Sequence, residues 1–162
     1  MRRDPMSYVR ELEAAELHWH FQQAEAALAV GLYIPAIITY LAAIENSIRS
    51  TLYQLRVAGY PEDGDLGATL SNRLLRDGYQ AGMPVERLAL GGEAILEGIK
   101  QNRPNVGIVS VRHNLCHGNI QPYIDRELGT FTPECLRGVS SEIETVARQW
   151  VSGLATFRGK RL

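Results

Sequence analysis

From Ile34 to Leu55 the chain repeats apolar side chains at Ile34, Ile37, Ile38, Leu41, Ile44, Ile48, Leu52 and Leu55. Steps of three and four place these residues on one face of an α-helix and scatter them over both faces of a strand. Leu136, Val139, Ile143, Ala147, Trp150, Leu154 and Phe157 form a second series of the same period. Two such stripes, with no competing period-two run, restrict the chain to an all-α fold. Pro35 belongs in the first turn of the earlier helix and Gly59, Pro61 and Gly64 stop it, which predicts a helix over 33–57. Thr132 and Pro133 read as N-cap and first position of the later one, which should run to about residue 158; Ser141-x-x-Glu144 offers a capping box for a later start.

Upstream, Asp4-Pro5 starts and Gly31 stops a helix over 5–30. Leu12, Ala15, Trp19, Ala26 and Val30 share one of its faces, and Leu17, Phe21, Ala24 and Leu28 the opposite one. A helix apolar on two sides is either central or shared with another subunit. Only Gly31-Leu32-Tyr33 separates it from the next helix, so the two form an antiparallel hairpin. Residues 59–69 read as a polar, glycine-rich connection. Leu70, Leu74, Leu75 and Tyr79 predict a short helix stopped near Gly78 to Gly82, and a weak one follows Pro84, open to a break at Gly91-Gly92. This middle third reads as an insertion covering one edge of the core. Asn105 is the expected N-cap of a helix over 106–117, which Gly118 ends. Residues 1–162 are therefore expected to form a single domain, an up-and-down bundle of four to five helices.

At 162 residues, a single core buries roughly two-thirds of the unfolded surface without staples. Charged residues make up 22% of the chain and the net charge is -1, which argues against a protein that coats nucleic acid through bulk electrostatics. No apolar run of about 18 residues spans a membrane, and Met1-Arg2-Arg3-Asp4-Pro5 lacks the apolar core of a signal peptide, so a cytoplasmic location is expected. Cys116 and Cys135 are too few for a disulfide framework and are expected to stay reduced. His18 and His20 lie about 200° apart around their helix and cannot share a metal ion.

Chemistry concentrates in Val111-Arg112-His113-Asn114-Leu115-Cys116-His117-Gly118. An imidazole exists in both protonation states near neutrality, so His117 can take or give a proton. The Arg112 guanidinium is permanently charged and matches phosphate oxygens with its forked donors. Glu45 falls inside the stripe of its helix, where a carboxylate must either reach outward or find a buried partner. Arg112 is the natural one, because the 106–117 helix is an expected neighbour. Other chemistries compete for this stretch. His113 and His117, four apart, could hold Zn²⁺ beside Cys116, although no third ligand has a persuasive spacing. The Cys116 thiol could be a nucleophile, but between Leu115 and the helix end it reads as a small packed group. Without any catalytic role, Arg112 would simply pair with an acid and His117 would cap the helix C-terminus.

Arg112-His113-x3-His117 resembles the R-(Asn/Asp/His)-x3-H signature of the HEPN family, and a chain of this composition produces such a match by accident only about 0.03 times. The resemblance extends over most of the chain: a helical hairpin with an in-stripe acid, then a late helix carrying the motif. It implies a small helical bundle, acting as a cofactor-free, metal-independent endoribonuclease of toxin–antitoxin or antiviral defence systems. Arg112 and His117 would be its catalytic pair, with His113, Asn114 and Glu45 supporting. It also implies RNA as substrate, a homodimer in which two motifs face each other across a cleft, and an antitoxin or nucleotidyltransferase as further partner. Some toxin branches continue the motif as H-x-Tyr, whereas this chain reads His117-Gly118-Asn119. The alternative is a non-catalytic HEPN-like module that binds a protein or nucleotide.

Overall fold

The computed structural model describes residue 12, residues 15–60 and residues 69–162. The predicted Asp4-Pro5 helix start and most of the 59–69 connection lie outside them. Six α-helices follow in order: α1 (Ala15–Ala29), α2 (Tyr33–Gln54), α3 (Asn72–Gln80), the short α4 (Ile95–Gly98), α5 (Gly107–Cys116) and α6 (Arg137–Arg161). The only β-type pairing among the described residues is an isolated bridge between Asp125 and Thr130. The protein is mainly helical, as the periodicity requires.

The hairpin of α1 and α2 closes on Gly31 (φ +74°), where the amide of Leu32 returns to the Ala27 carbonyl at 2.9 Å. A left-handed residue at this point satisfies the last carbonyls of α1 and reverses the chain. α2 ends at Gln54, three residues earlier than predicted. Arg56 (φ +56°) takes the position normally given to glycine, and Val57 N–H reaches Leu52 O at 3.0 Å. That backbone conformation is uncommon for a residue with a Cβ.

α2 is the central element and packs against α1, α3, α5 and α6. Its buried face is wider than the predicted stripe, because Ala36, Tyr40, Ala43, Ser47 and Thr51 are buried beside Ile37, Leu41, Ile44, Ile48 and Leu52. Trp150 of α6 is fully buried against it and donates its indole N–H to Ser47 Oγ at 2.8 Å, so a large apolar ring is covered without stranding its one polar atom. The two predicted apolar faces of the first helix do not separate cleanly, since Leu12, assigned with Trp19 and Val30, is buried in the core. Leu17, Phe21 and Ala24 are buried, while Trp19 and Val30 are 64% and 71% exposed.

The middle third corrects the expectation of an edge insertion. Leu70, Leu74, Leu75, Met83, Val85, Leu88, Ile95 and Ile99 belong to the same buried cluster as the hairpin. Ser71 caps α3 by accepting the Leu74 amide. The weak helix after Pro84 divides at Gly91 and Gly92, both at positive φ, into a 3₁₀ turn over Val85–Leu88 and α4. α6 is entered through a 3₁₀ turn over Pro133–Leu136 capped by Thr132 and runs to Arg161, three residues past the predicted end. Ser141 therefore lies inside the helix, and Glu144 pairs with Arg148, which also bonds Glu25 of α1.

Candidate functional site

The start of α5 is set by residues distant in sequence. Asn105 is not its cap. The N-cap is Val106, which has no side-chain donor or acceptor, and the amides of Val106 and Gly107 are met from outside. Both Glu93 carboxylate oxygens accept the Gly107 N–H, at 3.1 and 2.9 Å. A carboxylate at this end also suits the helix dipole. The buried Asn72 accepts the Val106 amide through Oδ1 at 3.1 Å, and its Nδ2 donates to the carbonyls of Gly98, Gln101 and Pro104. One side chain thus ties α3, the loop before α5, and α5 itself.

At its other end α5 stops as the glycine pattern predicts. His117 is the C-cap, Gly118 has φ +70°, and the Asn119 amide returns to Asn114 O at 2.8 Å. This wrap leaves the last turn projecting. His113, Cys116 and His117 are exposed, with the two imidazole rings 4.6 Å apart between centroids and tilted by 47°. The expectation of a packed Cys116 thiol is overturned, since the helix end carries it away from the core. Among the described residues, no three His, Cys, Asp or Glu side chains gather closely enough to hold a metal ion.

Arg112 points to the other side of α5, toward α2. Its Nε lies 3.9 Å from Glu45 Oε2, with side-chain exposures of 26% for Arg112 and 13% for Glu45. The carboxylate is held more tightly by two other donors: Arg49 Nη1 donates to Oε1 at 2.7 Å, and the Leu70 amide donates to Oε2 at 2.8 Å. Arg112 is therefore attracted to Glu45 without a close hydrogen bond to it, and its forked donors are not consumed by the pair. Arg49 is the main residue that sequence reasoning missed. Its signal was present, a glutamate followed four residues later by an arginine on one helix, but the stripe directed attention to the opposite partner.

Asn114 is engaged elsewhere. Its Nδ2 donates to the Tyr123 hydroxyl at 3.4 Å, and its Oδ1 accepts from Asn119 Nδ2 at 3.0 Å. Asn114 and Tyr123 thereby fasten the segment after Gly118 against α5. No family model, curated protein or solved structure matches this chain. Its chemistry is carried by the residues themselves. The end of α5 offers a half-buried guanidinium beside a fixed carboxylate, then, around the helix, two exposed imidazoles. Residues five apart lie about 140° apart on a helix, so Arg112 and His117 project from different sides of the last turns. Among the described residues no helix is long and apolar enough to cross a membrane.

Proposed function

We propose that the chain is a HEPN-like, metal-independent endoribonuclease whose catalytic residues are Arg112 and His117, acting as a toxin or defence effector. The observation that carries this reading is the state of Arg112: poised 3.9 Å from a carboxylate whose closer bonds go to Arg49 and Leu70, on the same terminal turns as an exposed His117. Arg112 keeps its orientation and still has donors for a phosphate.

The reaction needs no group outside the protein and the RNA. A base removes the 2′-hydroxyl proton, the 2′-oxygen attacks the adjacent phosphorus, and the bond to the 5′-oxygen breaks as that oxygen takes a proton. The products are a 2′,3′-cyclic phosphate and a 5′-hydroxyl. His117 serves one of the two proton transfers, and the neighbouring His113 ring restricts its orientation. Arg112 meets the charge that develops on the phosphate oxygens. In a homodimer, the second copy's motif would supply the other proton transfer. The exposed Trp19 and Val30 face of α1 is the surface we assign to that pairing.

The test is cleavage of total RNA by the purified protein in EDTA, with analysis of the new ends. Fragments with cyclic phosphate and 5′-hydroxyl termini support the reading. RNA left intact, with the protein folded and dimeric, points instead to a non-catalytic HEPN-like module that binds protein or nucleotide.

A further inference from the structure

A second feature lies at the far end of α2. Tyr53, Arg56, Val57, Gly59 and Tyr60 line an open surface depression of about 470 Å³. Two phenol rings and a guanidinium make up most of its functional groups. Tyr60 is anchored, since its hydroxyl donates to Asp77 Oδ2. Burial and that bond push its phenol well above the ordinary range, so the ring stays neutral. Arg158 of α6 adds positive charge at the same end, donating to Thr51 Oγ1 at 3.1 Å and to Gln54. Arg56 holds its position at an energetic cost: glycine would suit φ +56° better, and an arginine there sets a charged side chain at the cavity rim.

We propose that this cavity is a subsite for a nucleobase and its phosphate, in which Tyr53 and Tyr60 offer faces for stacking and Arg56 contacts the phosphate. Aromatic faces beside a cation are the means by which proteins hold unpaired nucleotides. Eight residues of α2 separate Glu45 from Tyr53, a rise of about 12 Å, comparable with the span of a few nucleotides. The same chemistry also fits a free nucleotide. Only the strand alternative rests on the ribonuclease reading.

The experiment measures binding of two probes, a short fluorescein-labelled 2′-O-methyl oligoadenylate, which has no free 2′-hydroxyl to attack, and AMP. They are titrated into the wild type, Arg56→Gly and Tyr53→Leu. Arg56→Gly removes the guanidinium while relieving the backbone, so its Tm should equal or exceed that of the wild type. We expect about tenfold weaker binding in Arg56→Gly and in Tyr53→Leu. Weakening seen with the oligonucleotide alone assigns the subsite to the RNA strand, and weakening seen with AMP assigns it to a free nucleotide. Failure of both probes to bind the wild type, or wild-type affinity in both cavity variants, overturns the proposal. Because neither probe is cleaved, these outcomes are separate from failure of the nuclease assay.

Discussion

Glu45 serves three donors of different kinds: a guanidinium one turn along its own helix, a backbone amide 25 residues away, and the more distant Arg112. Replacing it with alanine removes the acceptor of one Arg49 bond and of the Leu70 amide, and the negative charge beside Arg112. Fully buried pairs cost about 3–5 kcal/mol when one partner is removed, and the partial exposure of both arginines reduces the expected loss to about 1–3 kcal/mol. Glu45→Gln keeps an acceptor for Leu70 and should retain more stability than Glu45→Ala, while losing most of its hold on Arg112. Thermal unfolding of the two variants, set beside their cleavage rates, checks both statements; equal Tm values for wild type and Glu45→Ala would show that the carboxylate holds nothing. On the proposed chemistry, Arg112→Ala and His117→Ala should each lower cleavage by about 10²–10⁴-fold with an unchanged Tm. His113→Ala should cost less, because its ring only neighbours His117. A normal rate in either Arg112→Ala or His117→Ala would remove that residue from the mechanism.

At the scale of elements, the motif helix depends on side chains from the middle third. Asn72→Ala removes an amide group whose two N–H bonds are shared among three carbonyls, and strands the Val106 amide in a buried position. The expected cost is about 2–4 kcal/mol, together with faster hydrogen exchange at the start of α5. Unchanged exchange there would mean that α5 is held by its apolar face alone. This dependence was not legible in the sequence. The long helices were, because Ile37, Leu41, Ile44 and Ile48, or Ile143, Ala147, Trp150 and Leu154, share one face through spacing alone. Gly31 and Gly118 were legible as stops because both sit in left-handed positions at helix ends. Glu45 stood out as a charge within an apolar stripe, and the partner that stripe suggested, Arg112, lies at 3.9 Å. Glu93, Asn72 and Tyr123 carried no comparable sign. They act on backbone or amide groups 9 to 34 residues away, and the local sequence does not show which distant group a polar side chain will reach. Arg56 ended α2 where the sequence suggested continuation, since an arginine gives no hint that it will take a glycine conformation.

At the scale of the whole molecule, Trp19, Ala26 and Val30 of the first hairpin helix stay exposed. If two copies pair through these residues, light scattering should report a dimer at micromolar concentration, and Trp19→Glu with Val30→Glu should yield a folded monomer with little cleavage activity. A folded, fully active monomer would dismiss a composite site and leave each chain to complete the reaction alone. Expression of the wild type should slow growth, and expression of the Arg112→Ala or His117→Ala protein should not. The central claim is that the end of α5 cleaves RNA without a metal. It is tested most directly by incubating purified wild-type and His117→Ala protein with total RNA in EDTA and identifying the new termini. The account predicts 2′,3′-cyclic phosphate and 5′-hydroxyl ends from the wild type alone. Intact RNA with the wild type, or equal cleavage by both proteins, would contradict it.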